Sequence, residues 1–321
     1  MSKKPAVPRS GRAVKSKTGS VSSKANASAG ASLLAAAAPA RHNDDELFAE
    51  LIDAGSREHY ADAALYDYEY RRRRADVNFY REFAKSHFAE AGVTQGNILE
   101  IGAGSGRVTL PLARDGHRLV AMDQSVAMLT KLRHRRDDGA ATVAERIEVL
   151  AGDLRTFTVP GKRQFDLIFA PFNVLEHLYT RVELHACLQR VAQHLTPTGR
   201  FVFDVQLPDL AWLNRNPDKR WARTKFTDPN TGQKFIYSTN HDYDPITQIA
   251  LIRIYYDAVA AGKSRVVKLS QRKFFPAELE ALVAHANLRV VERYGDFLCA
   301  PLDGYAESQV LVCAHPRVRK Q

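Results

Sequence analysis

The sequence predicts a doubly wound α/β fold with a mostly parallel, seven-stranded sheet. Three observations lead there. Between Asn97 and Leu207 short apolar runs alternate with helix-periodic segments, a rhythm that demands parallel strands joined by right-handed crossovers. A glycine-rich turn, Gly102-Ala103-Gly104-Ser105-Gly106, follows the first run and precedes the first helical segment. After Leu207 three β-rich stretches follow one another directly, then the alternation resumes, so an antiparallel insert interrupts the sheet after its fifth strand.

The elements follow in order. Val77, Tyr80, Phe83, Ala84 and Phe88 recur at helical spacing and give the segment before the sheet one apolar face. Asn97–Gly102 is the first strand and Val108–Asp115 the first crossover helix. Arg118–Asp123 is the second strand, after which Ser125 is placed to cap a helix carrying Met128, Leu129 and Leu132. Ile147–Leu150 and Phe165–Phe172 are strands three and four. Thr180-Arg181-Val182-Glu183 is a capping box opening a helix with Leu184, Cys187, Leu188, Val191 and Leu195 on its inner face. Pro197-Thr198-Gly199 stops that helix, and Arg200–Val205 is strand five. Gln233–Tyr243, Thr247–Val259 and Ser264–Phe274 make up the insert. Pro276 fits the first turn of a last helix, which Asn287 ends in a left-handed conformation. Arg289–Phe297 and Gln309–Ala314 are the final strands.

Charge is distributed unevenly along the 321 residues. The net charge is +10, but residues 1–43 hold eight Lys and Arg and no acid, leaving a body close to neutral. That body offers no basic groove for a nucleic acid, whose recognition would fall to the tail alone. The tail, 1–45, reads as disordered for want of apolar surface, with an organelle transit peptide as the alternative. Arg71-Arg72-Arg73-Arg74 reads as a solvated face. Three scattered cysteines exclude a disulfide framework or a zinc site and fit a reducing compartment, hence a cytoplasmic location. No apolar run is long enough for a membrane span.

The chemistry concentrates after strand one. Glycines there let the backbone turn tightly and approach a ligand, at the sheet end where open α/β folds bind. A dinucleotide fingerprint needs its third glycine at 107, which is Arg107, and a phosphate loop needs a Gly-Lys-Ser/Thr that is absent. Asp123 and Asp153, ending strands two and three, could each simply cap a turn.

Taken in order, these stations resemble the class I S-adenosylmethionine-dependent methyltransferases, whose sheet is Rossmann-like. Glu100-Ile101-Gly102-Ala103-Gly104-Ser105-Gly106 resembles their first motif. The resemblance implies S-adenosylmethionine as cofactor. Glu100, Gly102, Ala103, Gly104 and Gly106 would cradle it, and Asp123, followed by Gln124, would bind the ribose hydroxyls. Asp153 would take the adenine amine and Leu154 pack on its ring. Ala170, in the strand-four motif Phe165–Asn173, would lie beside the transferred methyl. Tyr66-Asp67-Tyr68-Glu69-Tyr70-Arg71 resembles the lid of small-molecule N-methyltransferases, which implies that Tyr70 and Arg71, or residues a position or two away, reach the cofactor carboxylate or the substrate. The implied division is a helical lid at 46–96, a cofactor-binding core at 97–207, a substrate-covering insert at 208–274 and a core-completing segment at 275–321.

A methyl on a sulfonium is already activated, so catalysis is mainly positioning, which supplies about 7–11 kcal/mol of such barriers. His177, just after strand four, is the candidate base, with a purely structural histidine as the alternative; Glu176 is the weaker candidate. Asp296, in Tyr294-Gly295-Asp296-Phe297, is a candidate contact to the acceptor. Ala170-Pro171-Phe172 departs from the strand-four motif of nucleic-acid amino methyltransferases. The reading is therefore methyl transfer to nitrogen or oxygen of a small-molecule acceptor. The alternatives are an RNA or protein methyltransferase using the basic tail, and a cofactor-binding module without catalysis.

Overall fold

Three helices precede the sheet: α1 (Ala40–Arg57), α2 (Ala63–Tyr70) and α3 (Ala75–Glu90). The computed structural model describes residues 40–259 and 262–316. Residues 1–44 and 45–321 separate into two units, and the fold below is that of the second. Of the segment read as a basic tail, residues 1–39 lie outside the described residues; its last residues, from Ala40, already belong to α1. In α3 the anticipated stripe is buried, with Val77, Tyr80, Ala84 and Phe88 facing the sheet alongside Phe79.

The core then alternates as anticipated: β1 (Asn97–Ile101), α4 (Thr109–Arg114), β2 (Arg118–Asp123), α5 (Val126–Asp137), α6 (Ala141–Ala144), β3 (Ile147–Ala151), β4 (Phe165–Ala170), α7 (Arg181–His194) and β5 (Leu195–Gln206). Ile98, Leu99 and Ile101 are fully buried because helices cover both faces of the sheet. Ser125 caps α5 by accepting from the Met128 amide at 3.4 Å. At α7 Thr180 and Glu183 form the full capping box, the Glu183 amide donating to the Thr180 hydroxyl at 3.1 Å and the Thr180 amide to the Glu183 carboxylate at 2.9 Å. A cap of this kind stabilises a helix by about 1 kcal/mol. Leu195, anticipated as the last residue of that helix, instead starts β5 and pairs with Phe165, because the proline that follows ends the helix one step early.

The insert holds more than the sequence suggested. After a short helix α8 (Leu210–Leu213), strand β6 (Trp221–Thr227) precedes β7 (Lys234–Asp244), β8 (Ile249–Ala258) and β9 (Arg265–Arg272), giving a four-stranded antiparallel sheet. β6 escaped notice because it is an edge strand with mostly exposed side chains and no alternating pattern to read. Helix α9 (Pro276–His285) and strands β10 (Arg289–Tyr294) and β11 (Ser308–Ala314) complete the core, with Asn287 left-handed at φ 58°.

The main sheet runs in the order β3-β2-β1-β4-β5-β11-β10. β11 is antiparallel to both neighbours and all other pairings are parallel. The order reverses between β1 and β4, which opens a crevice at the carboxyl ends of β1, β2 and β4.

Candidate active site

That crevice is a cavity of about 790 Å³, floored by the strand ends and roofed by the second half of α1. The glycine turn forms one wall. Gly102 has φ 72°, and a Cβ there would lie 2.4 Å from Val174, so only glycine lets the turn pass beneath the loop after β4. Gly102, Ala103 and Gly104 face the cavity, as anticipated. Gly106 does not: its φ of 85° turns the chain into α4 and its missing Cβ makes room for Leu132.

Asp123 faces the cavity from the end of β2. One oxygen accepts from the Gly104 amide and the other from the Ser125 amide, each at 2.8 Å. A carboxylate has about four lone-pair sites, so accepting capacity remains beyond these amides. Burial pushes its pKa up. This is a fixed, desolvated diacceptor, matched to two adjacent hydroxyls. Gln124 lies beside it. Glu100, beneath the glycine turn, accepts from the Thr109 hydroxyl at 2.6 Å, and burial raises its pKa to about 8.

Asp153 and Leu154 line the wall after β3. Asp153 takes the Arg155 amide at 2.8 Å and its guanidinium at 2.5 Å, which holds the carboxyl below the usual range. Much of its accepting capacity is thus committed to Arg155, which also reaches Glu183 at 2.9 Å.

His177 lines the opposite side, in a 3₁₀ turn at Val174–His177. Both ring nitrogens are engaged: Nε2 lies 2.6 Å from the Tyr60 hydroxyl and Nδ1 3.3 Å from that of Tyr179. Tyr179 continues to the Ser270 hydroxyl at 2.6 Å, and Ser270 donates to the Ile52 carbonyl at 2.9 Å. The carbonyl can only accept, so the chain has one direction. Ser270 donates to Ile52, Tyr179 to Ser270, His177 Nδ1–H to Tyr179, and Tyr60 to His177 Nε2. Burial, reinforced by His59 and Lys273, lowers the His177 pKa to about 4. The imidazole is therefore neutral near pH 7, and Tyr60 points its proton at it.

Besides Gly106, five anticipated residues fall outside the cavity wall. Arg71 is exposed, its guanidinium stacked 3.6 Å over the Tyr68 ring and bonded to the Tyr68 carbonyl. Tyr70 turns into an aromatic cluster, its hydroxyl 3.2 Å from His59 Nε2. Ala170 is buried in the sheet, and Pro171 and Phe172 line the cavity in its place. Asp296 ties its own loop by accepting from the Leu298 and Ala300 amides at 2.8 and 2.9 Å. Glu176 turns away into a buried ion pair, 2.7 Å from Lys273.

Two residues that were not anticipated, Tyr66 and Arg107, line the cavity. Tyr66 lies one helical turn before Tyr70, and its hydroxyl makes no hydrogen bond among the described residues. Arg107 lies beside it, gripped from behind by Asp76 at 2.9 and 2.6 Å and lying 4.5 Å from the Phe172 ring centre. The other cations of the wall, Arg57 and Arg155, are paired with carboxylates of the wall itself. Asp76 stands outside it, so Arg107 is held by a carboxylate from beyond the wall. In the sequence Arg107 served only to exclude a dinucleotide fingerprint; its position directly after the last glycine was the signal available.

Residues 98–199 match the family of methyltransferase domains, over the strands that build this cavity. The fold is that of a class I methyltransferase. Over 111 residues the chain is 31% identical to the cypemycin N-terminal methyltransferase of a Streptomyces species, a match covering 35% of this chain and 42% of that protein. The chain thus spans less than half the length of that curated relative. Among solved structures, the CcbJ methyltransferase of Streptomyces caelestis superposes with a TM-score of 0.63 at 24% identity, over 75% of this chain and 96% of that one. CalS10, an amino pentose methyltransferase of Micromonospora echinaspora, gives 0.54 at 19% identity, over 78% and 94%. At these identities the superpositions establish the methyltransferase fold.

Proposed function

We propose that this chain transfers a methyl group from S-adenosylmethionine to a nitrogen atom of a small-molecule acceptor. The carrying observation is the cavity between the glycine turn and Asp123, whose carboxylate, fixed by backbone amides, keeps accepting capacity for a ligand. On this reading Asp123 holds the ribose diol, Leu154 packs on the adenine with Asp153 at its edge, and the amides of the glycine turn lie along the amino-acid portion. Tyr66 and Arg107 take the carboxylate, a fixed guanidinium being suited to it. Residues 46–96 then act as the lid and 208–274 as the cover.

The cofactor supplies a methyl already activated as a sulfonium; the chain supplies placement. Tyr60 offers oxygen lone pairs to the cavity, because its proton is committed to His177, and so can orient a donor N–H of the acceptor. No side chain at this end is a free base of ordinary strength: His177 has both nitrogens engaged and its basicity suppressed. An amine in its neutral form needs no base to attack, whereas an alcohol does. This favours nitrogen over oxygen. The named activities of cypemycin N-terminal methyltransferase and of CalS10 agree with an amine acceptor. The three free cysteines fit a cytoplasmic setting, and no described helix is long and apolar enough to cross a membrane.

Calorimetric titration with S-adenosylhomocysteine tests the reading. Binding that falls at least about a hundredfold in Asp123→Ala supports it, two charged hydrogen bonds being worth about 3 kcal/mol or more. Absence of binding by the unaltered chain would overturn it.

A further inference from the structure

The turn between α2 and α3 carries Arg71-Arg72-Arg73-Arg74, and all four residues are exposed. Beside it runs the loop from β10 to β11. The ring centres of Phe297 in that loop and Phe79 in α3 lie 6.0 Å apart, and the Arg73 guanidinium is 6.0 Å from the Phe297 ring. The loop is acidic: residues 294–308 hold Asp296, Asp303 and Glu307 and no Lys or Arg. We propose that these two surfaces form an interface with a second copy of this chain, the arginine turn of each copy lying on the acidic loop of the other. The inference is independent of the methyl-transfer reading.

The opposite charges are neighbours, yet they are not spent on each other. Arg73 approaches Asp76 of α3 at 3.7 Å, and Arg71 is bonded to the Tyr68 carbonyl. Arg72 and Arg74 have no ion-pair partner among the described residues, and neither have Asp303 and Glu307. A two-fold axis standing between a positive and a negative patch sets each patch over its opposite. That is the condition a self-complementary contact has to meet.

The loop also presents apolar surface. Leu298 is 84% exposed and Tyr305 95%. Both are held in place by the backbone of the loop. Asp296 accepts the Leu298 and Ala300 amides, the Gly295 amide donates to the Ala300 carbonyl at 2.8 Å, and the Ser308 amide donates to the Gly295 carbonyl at 3.1 Å. Asp303 accepts the Tyr305 amide at 2.8 Å. Ordering these side chains in advance lowers the cost of association. Tyrosine and arginine are also the residue types that concentrate binding energy at interfaces.

Other occupants fit only half of the surface. A nucleic acid or an acidic protein would suit the arginine turn, but the carboxylates of the loop would repel it. A second copy uses the arginines, the acids and the two apolar side chains together. Arg73 also lies 4.8 Å from the ring centre of Phe172, so the interface borders the wall of the large cavity.

Sedimentation velocity of the full chain tests the proposal. At low salt the chain should form a dimer with a Kd of about 10 μM or tighter, and the dimer should weaken as salt rises. The double variant Arg72→Glu, Arg74→Glu and the single variant Glu307→Arg should each weaken it at least about tenfold, because each sets like charges against each other. Tyr305→Ser should weaken it to a similar extent, about tenfold, through lost apolar contact. Mixing the two charge variants should restore a dimer. In the mixed pair the new glutamates face the new arginine, and the second contact keeps its native charges. Such rescue also shows that both variants are folded. An unaltered chain that stays monomeric at about 100 μM, well above that Kd, would overturn the interface. So would a dimer indifferent to all of these substitutions, or charge variants that stay monomeric when mixed.

Discussion

The carboxylate of Asp204 in β5 accepts the backbone amide of Phe172 at 2.8 Å, across the gap to the loop after β4. The same carboxylate takes the Asn173 amide at 3.2 Å and the Tyr80 hydroxyl at 2.6 Å. Phe172 and Asn173 have φ of 68° and 61°, left-handed values that non-glycine residues avoid at roughly 1–3 kcal/mol each. Asp204 is what holds them there, and it thereby sets Phe172 against Arg107 at the cavity wall. Asp204→Ala leaves two amides and a hydroxyl buried without a partner. It should destabilise the fold by about 3 kcal/mol, read by urea denaturation. Tyr80→Phe should lose less, since the amides stay satisfied.

Asp204 also gives the fold a pH dependence of known sign. Burial raises its pKa to about 6, above the value near 4 of an unfolded aspartate. The native state then holds the proton longer than the unfolded state, so this group favours folding at low pH. Its contribution is lost as pH rises from about 4 through about 6, by about 2–3 kcal/mol in all. Asparagine does not titrate. The stability difference between the unaltered chain and Asp204→Asn should therefore shift toward the variant by that amount between pH 4 and pH 7. A difference that is flat with pH would show that the carboxyl is not protonated in the folded chain at pH 5.

The hydrogen-bond chain from Ile52 to Tyr60 makes a prediction about His177. Nitrogen-15 spectra of the histidine side chains should show it neutral, with the proton on Nδ1, at pH 6. Its titration should lie near pH 4, where its folded value is placed by burial. Tyr60→Phe removes the lone pairs that face the acceptor while leaving the cofactor wall intact. We expect a turnover loss of about tenfold to hundredfold with unchanged S-adenosylhomocysteine affinity, in line with one lost orienting hydrogen bond. An equal loss of cofactor affinity would show that Tyr60 belongs to the cofactor wall instead.

Lys273 and Glu176 join the insert to the core. Lys273 follows β9 and donates to Glu176 at 2.7 Å, to Gln206 at 2.8 Å and to Gln271 at 3.0 Å, while Glu176 accepts the Gln206 amide at 2.8 Å. Both points where the chain crosses between core and insert are thus pinned beside His177. Lys273→Met leaves a fully buried carboxylate unpaired and should destabilise the chain by about 3–5 kcal/mol. The double variant Lys273→Met, Glu176→Leu should recover much of that. A cycle in which the two losses simply add would show that the ions do not depend on each other.

The sequence was most legible where backbone geometry leaves few choices. Alternating apolar runs, the capping box at Thr180 and the left-handed Asn287 are local features, decided by neighbours along the chain. The glycine turn and Asp123 were legible for the same reason, since each ends a strand at the crevice. What stayed hidden depends on direction. Tyr66, Tyr68 and Tyr70 share one short helix, and nothing local says which turns inward; the packing of Phe172 and His59 decides it. Tyr60 was invisible because its partner His177 is 117 positions away.

The assignment of the carboxylate grip can be decided by a pair of substitutions. Arg71 is exposed and stacked on Tyr68, so Arg71→Ala should leave S-adenosylhomocysteine affinity within about twofold, as surface changes usually do. Arg107 has its charge fixed by a fully buried Asp76 and lines the cavity. Arg107→Lys keeps the charge but loses the planar fork, and should weaken binding about tenfold or more. The comparison controls for net charge, since the lysine variant retains it and the alanine variant does not. Should Arg71→Ala prove the more damaging, α2 must rotate on binding to bring Arg71 inward, and Tyr70 would follow it into the cavity.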